Sequence, residues 1–127
     1  MNLNGLTGVS SARPGATEAQ INTIEVKVGR NIPIEYRALL LLADGFSLQS
    51  GVIIYASDEI LERNETFEVS KYAPGYLAIG DDSGGRSFMI SFDRPGLFIV
   101  DQGTMDPGDM QEISQSLNDW ISRGCMF

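Results

Sequence analysis

The chain contains no histidine and a single cysteine, Cys125. The missing imidazole excludes Ser-His-Asp and Cys-His nucleophilic catalysis and any histidine-ligated metal centre. One thiol makes no intramolecular disulfide and no cysteine-rich zinc site. Basic residues are scarce: Lys plus Arg is 9 against 17 for Asp plus Glu, a net charge of -8. A domain of that sign repels phosphate backbones, which argues against direct nucleic-acid binding. Long apolar runs are missing too. The longest, Ala38–Ala43, falls far short of the roughly 18 residues a membrane span requires. The first residues offer no basic stretch followed by an apolar one, so no secretory signal is expected and the expected compartment is the cytoplasm. Without such a signal, Asn64-Glu65-Thr66 matches a glycosylation acceptor only by chance.

What is present reads as one globular domain. The 127 residues are 43% hydrophobic and 20% charged, a balance that sustains a core rather than disorder. Folding at this length buries about two-thirds of the unfolded chain's surface. Residues 1–16 are small, polar and glycine-rich and read as a flexible arm. The domain is expected over 17–123, with 124–127 a frayed tail.

The periodicities place helices first, then a sheet, then a closing helix. Thr17 and Gln20 form a capping box ahead of Ile21, Ile24 and Val28, and Gly29 stops that helix. Pro33 opens a second helix with Tyr36, Leu39, Leu40 and Ala43 on one stripe. Leu41 and Leu42 make it apolar nearly all round, so it should be the most buried element, and Asp44-Gly45 should end it. Short strands are expected at Val52–Tyr55, Leu77–Ile79, Arg86–Phe92 and Leu97–Val100. A helix from Ser57 separates the first two, with Asp58 and Glu59 in its first turn. Arg94-Pro95-Gly96 reads as a type II turn joining the last two. After a polar loop, Asp101–Met110, the spacing of Ile113, Leu117, Trp120 and Ile121 predicts a final helix. The expected class is α+β: a central antiparallel sheet of four to six strands with an N-terminal helix pair and a C-terminal helix on one face.

Several segments invite chemical readings. Asp82-Ser83-Gly84-Gly85 partly resembles the nucleophile segment of trypsin-like proteases, but no base is available for the serine proton. The same glycines could cradle a phosphate, yet two aspartates flank them and no Gly-Lys-Ser/Thr follows, so a strand-to-strand turn explains them better. Asp81, Asp82, Asp101, Asp106 and Asp109 offer oxygen ligands without the spacing of a calcium loop. Asp106-Pro107-Gly108-Asp109 is ordinary turn chemistry. No metal or cofactor is expected. Nothing beside Cys125 activates it. Tyr55, Tyr72 and Tyr76 are either interface anchors or the wet edge of the core.

Charge patterning says more. No Lys or Arg falls between Arg94 and Arg123, where Asp101, Asp106, Asp109, Glu112 and Asp119 lie. None falls between Arg37 and Arg63, where Asp44, Asp58, Glu59 and Glu62 lie. A face gathering such acids would speed capture of a basic partner. The same acids would also serve solubility alone.

Three segments in order resemble the SUKH superfamily. Ile21, Ile24-Glu25, Gly29, Ile32-Pro33, Glu35-Tyr36, Leu39-Leu40 and Gly45 are similar to its opening helix pair. Tyr76–Phe88, containing Ile79-Gly80-Asp81-Asp82-Ser83-Gly84-Gly85, is similar to its central strand and glycine-rich turn. Ile113–Ile121 is similar to its closing helix. Ser83 stands where relatives more often carry glycine, and Asp101-Gln102-Gly103 departs from a His- or Trp-rich segment. The resemblance implies a non-catalytic protein-binding domain. The short acidic chain is closer to the bacterial immunity type, which neutralises a toxin domain, often a nuclease, by stoichiometric binding. The implied partner is a cognate basic toxin domain, with Tyr72, Tyr76, Asp81, Asp82, Asp101, Asp106 and Asp109 as candidate contacts. The alternatives are a regulatory adaptor in cell-wall or signalling pathways, and a small enzyme or ligand-binding domain using Asp81 and Asp82.

Overall fold

The computed structural model describes all residues, Met1–Phe127. Seven strands form one antiparallel sheet, and each pairs with its neighbour in sequence. They are β1 (Val9–Pro14), β2 (Ala43–Leu48), β3 (Ile53–Ile54), β4 (Tyr76–Asp81), β5 (Arg86–Ser91), β6 (Leu97–Asp101) and β7 (Gln111–Ser114). Helices α1 (Glu18–Val28) and α2 (Ile34–Leu42) lie between β1 and β2. Helices α3 (Ile60–Thr66) and α4 (Val69–Tyr72) lie between β3 and β4, and α5 (Leu117–Ser122) follows β7. The class is α+β, as the sequence predicts, but the sheet exceeds the expected four to six strands.

The additional strands come from three segments with weak or misleading patterns. β1 belongs to the stretch read as a flexible arm. Every residue in it is exposed, so no apolar alternation marks it. Its ladder to β2 and the Arg13 side chain hold it in place: Arg13 Nε donates to the Asp44 carbonyl at 3.1 Å, and the guanidinium meets Asp58 at 2.6 Å. β2 contains the Asp44-Gly45 pair read as a helix stop. Asp44 is buried there, accepting from the Ser57 N–H and hydroxyl at 2.6 and 2.9 Å. Gly45 has φ +82°, and a Cβ on it would stand 2.9 Å from Ala56, so glycine serves the sheet rather than ending a helix. β7 takes Ile113 out of the expected final helix. Helix α5 begins only after Ser116, whose hydroxyl accepts from the Asp119 N–H at 3.0 Å.

The N-terminal helices form as their signals predict. Thr17 Oγ1 accepts from the Gln20 N–H at 3.1 Å, and Gln20 Oε1 accepts from the Thr17 N–H at 2.8 Å. Gly29 closes α1 in the left-handed region. In α2 only the Tyr36, Leu39 and Leu40 face meets the core. Leu41 and Leu42 remain 40% and 44% exposed, contrary to the expectation of a helix buried all round. One core joins α1, α2, α5 and the sheet. Trp120 of α5 packs on Phe88 of β5 with ring centroids 4.8 Å apart. Burying a large aromatic side chain of this kind is worth about 1.5–3 kcal/mol.

The final residues are pinned rather than frayed. Cys125 is buried and its N–H donates to the Trp120 carbonyl at 2.9 Å, while Trp120 Nε1 donates to the Met126 carbonyl at 2.9 Å. Burial alone pushes the Cys125 thiol up to about 12, which keeps it protonated and unreactive.

A side chain completes the sheet where β3 stops. β3 reaches only Gly80 and Asp81 of β4. Beyond it, Asn64 of α3 donates Nδ2 to the Ala78 carbonyl at 2.8 Å and accepts from the Ala78 N–H at 2.9 Å. The amide therefore plays the part of a missing strand residue.

Candidate functional site

Every second connection of a meander emerges at the same end of the sheet. Here that end carries the β2–β3 turn, the β4–β5 turn and the β6–β7 loop. Hydrogen bonds weld the three together. Ser83 Oγ donates to the Gly51 carbonyl at 2.6 Å, linking the first two. The Gln102 N–H donates to the Gly85 carbonyl at 2.8 Å, linking the second and third. The hydroxyl of Ser83 is thus committed to a neighbouring turn, and Ser83 itself takes the left-handed φ of +62° that its turn demands.

The aspartates shape these turns with one oxygen and leave the other outward or paired. Asp81 Oδ1 accepts from the Ser83 N–H at 2.9 Å, while its Oδ2 receives the Tyr55 hydroxyl at 2.7 Å. Asp82 Oδ1 accepts from the N–H groups of Gly84 and Arg86 at 2.7 and 3.0 Å, and its Oδ2 pairs with Arg86 Nε at 2.8 Å. Burial works against the Asp82 charge, but these donors outweigh it and hold the carboxyl below the usual carboxylate range. Asp101 Oδ1 accepts from the Gly103 N–H at 2.7 Å, and Asp106 Oδ1 from the Gly108 N–H at 2.9 Å. A 3-10 turn over Pro107–Asp109 follows. The long loop is anchored by Met105, only 1% exposed and held at φ +46°.

The result is a preformed ridge carrying Asp81, Asp82, Asp101, Asp106 and Asp109, with Arg86 as its cation. Asp101 faces Arg86 across the β5–β6 pair. Asp101, Asp106 and Asp109 are exposed. No group of three or more acidic or cysteine side chains is arranged to hold a metal ion.

The two candidate tyrosines lie elsewhere. Tyr76 starts β4 and Asp81 ends it, roughly 17 Å apart at about 3.3 Å per residue. The Tyr76 hydroxyl accepts from Arg94 at 2.7 Å, and its ring meets Phe98 edge-on at 5.9 Å. Tyr72, on α4, is half exposed with the Lys71 ammonium over its ring. Tyr55 is the tyrosine that belongs with the acids. It is buried, accepts from the Tyr36 hydroxyl at its own carbonyl (2.9 Å), and hands its hydroxyl to Asp81. Burial, then the Asp81 bond, push its phenol well above the ordinary tyrosine range. The other acid-rich stretch does not join the ridge: Asp44 and Asp58 meet Arg13, and Glu62 meets Arg63.

Comparison with known proteins agrees with this architecture. Residues 15–123 match the model of the SMI1 / KNR4 family (SUKH-1). A stretch of 71 residues, 56% of this chain, is 34% identical to the uncharacterized protein YnaB of Bacillus subtilis (strain 168). The chain spans about half the length of that curated relative, covering 47% of it. No helix is long and apolar enough to cross a membrane. With the family match running from the end of β1 to the last helix, the chain belongs to the SMI1 / KNR4 family (SUKH-1).

Proposed function

We propose that this protein is a non-catalytic binding domain that neutralises a basic toxin domain by covering it stoichiometrically. One observation carries the reading: three turns, tied to one another by hydrogen bonds, present the exposed Asp101, Asp106 and Asp109 beside the inward-held Asp81 and Asp82 and a single arginine. Such a ridge is rigid before it meets a partner, so little conformational entropy is lost on docking. Its field attracts a cleft built to grip phosphates, which is the electrostatic signature of a nuclease. Ser83, the one residue with a nucleophile-like setting, spends its proton on Gly51. That use supports a binding role over a hydrolytic one.

The test is co-expression with the toxin candidate encoded beside this chain, scored by survival and co-purification. Rescue with a stable complex supports the proposal. Failure of rescue against a demonstrably active toxin would move the reading to a regulatory adaptor or another cognate toxin. In a complex that does form, Asp101→Asn, Asp106→Asn and Asp109→Asn together keep the turn-forming carbonyls but remove three charges. The association rate should fall about tenfold or more at low salt, and its salt dependence should flatten. An unchanged rate would place the interface elsewhere on the molecule.

A further inference from the structure

Asparagine is followed by glycine once in this chain, at Asn4-Gly5. The pair forms the centre of a turn in which the Leu6 N–H donates to the Leu3 carbonyl at 3.1 Å. Leu3 and Leu6 are half-buried against the core. A Cβ on Gly5 would collide with the Ser122 carbonyl oxygen and stand 2.9 Å from that of Ile121. Only glycine lets the turn lie with its backbone against the end of α5. That contact also fixes the chemistry of the neighbouring residue. With no side chain at position 5, nothing shields the Gly5 nitrogen from the Asn4 side chain. Asn4 is exposed, its side-chain amide makes no hydrogen bond, and the Gly5 N–H donates to no acceptor. Both groups needed for ring closure are free.

The other asparagines lack this freedom. Asn64 is locked to Ala78 by two hydrogen bonds of 2.8 and 2.9 Å. Asn22 lies within α1. Asn118 precedes Asp119, whose N–H donates to Ser116 Oγ at 3.0 Å. Asn31 precedes β-branched Ile32, whose N–H donates to Glu25 Oε2 at 2.8 Å. Asn2 precedes Leu3, and its Oδ1 accepts from the Asn4 N–H at 3.0 Å. The comparable aspartate pair, Asp44-Gly45, is protected as well: Asp44 is buried and both its oxygens accept from Ser57.

We propose that Asn4 is a site of spontaneous covalent modification that releases the N-terminal turn from α5. The Gly5 nitrogen gives up its proton to solvent and attacks Asn4 Cγ. The Cγ–Nδ2 bond breaks, and the side-chain nitrogen leaves as ammonia. Water then opens the cyclic imide at either carbonyl. Opening on the Cγ side leaves an aspartyl residue. Opening on the main-chain side leaves an isoaspartyl residue, whose backbone runs through Cβ and Cγ and is longer by a methylene. Either product puts a carboxylate on a turn seated against helix C-terminal carbonyls, where negative charge is unfavourable. The lengthened backbone also breaks the match between the Leu3 and Leu6 seats and their shared hydrogen bond. Release stops at Gly8, whose carbonyl accepts from the Gln49 N–H at 2.7 Å. The site does not depend on the toxin-binding role.

The test ages the purified full chain in warm, mildly alkaline buffer. Peptide mapping by mass spectrometry, with fragmentation that separates aspartyl from isoaspartyl products, then locates the exchange of amide nitrogen for oxygen. It should accumulate at position 4 while Asn22, Asn31, Asn64 and Asn118 stay intact. Amide NMR of the aged protein should show new signals for Leu6, Ser122 and Gly124, with Gly84 and Gly103 of the ridge unmoved. Asn4→Gln keeps a side-chain amide but needs a larger ring, so its spectrum should not change on ageing. Modification absent at position 4 or spread evenly over the asparagines would overturn the proposal. So would a modified position 4 that leaves Leu6 and Ser122 undisturbed, or the same new signals in aged Asn4→Gln.

Discussion

Tyr55 donates its hydroxyl to Asp81 across 2.7 Å, and this bond joins the core to the acidic ridge. Tyr36, fully buried, donates in turn to the Tyr55 carbonyl at 2.9 Å. The position of Asp81, and through it the Ser83 N–H, is therefore set by two aromatic side chains packed beneath the turn. Tyr55→Phe keeps the ring and removes the bond. Stability should fall by about 1–2 kcal/mol, read from the urea midpoint at unchanged slope. The Ser83 and Gly84 amides should also exchange faster than in the parent protein. Equal exchange in the two would show that Asp81 is held without Tyr55.

Asn64 carries a larger share. Asn64→Ala leaves the N–H and carbonyl of Ala78 without partners, and Ala78 is fully buried. The expected loss is roughly 2–4 kcal/mol, because two desolvated backbone groups stay unsatisfied. Urea unfolding measures it. A loss below about 0.5 kcal/mol would mean that β3 extends to cover Ala78 itself.

Acid should weaken the ridge through Asp82. Its carboxyl lies below the ordinary range in the folded protein and near 3.9, the usual Asp value, when unfolded. The folded state therefore binds fewer protons in that window. The contribution is complete above about pH 4 and is lost as pH falls through the native value. Asp82→Asn should cost about 1–2 kcal/mol near neutrality, and the gap from the parent should close below about pH 4. Unfolding curves across that range decide it, and a gap that does not change with pH would trace the effect to lost geometry instead of lost charge.

Much of the framework is legible in the residues, for reasons tied to particular side chains. The Thr17–Gln20 box forms as spaced, since it needs only local geometry. The strand expected at Arg86–Phe92 forms over Arg86–Ser91, because Phe88, Met89 and Ile90 are all buried in the core. The failures share a cause: their signals are tertiary. β1 has no buried residue to give it a period. Asp44-Gly45 looks like a helix stop, yet Asp44 is consumed by Ser57, thirteen residues on. Ile113 falls on the helical stripe of Leu117, Trp120 and Ile121 by arithmetic, but it sits at a bulge in β7, between Glu112 and Ser114, which pair with β6. Of the candidate contacts, the aspartates converge because turns at one end of a meander must. Tyr72 and Tyr76 stand apart because Tyr76 opens the strand that Asp81 closes. Tyr55 is legible as a candidate tyrosine, but its link to Asp81 is not, because that depends on the register of β3 with β4.

The uncrossed order of the sheet has a consequence for how such a protein diversifies. Each turn in the ridge joins strands that are already neighbours, so none is a structural tie between distant parts. Lengthening a surface loop costs only about 0.6 kcal/mol per doubling, and here the extra residues would project outward from the strand ends. The β6–β7 loop, moored by Met105, is already the longest of the three. Apart from Met105, its sequence between Asp101 and Met110 can be rewritten while the hydrogen-bonded ladder beneath stays in register. One scaffold can thus present many different recognition surfaces, with the chemistry of recognition changing turn by turn and the core inherited intact.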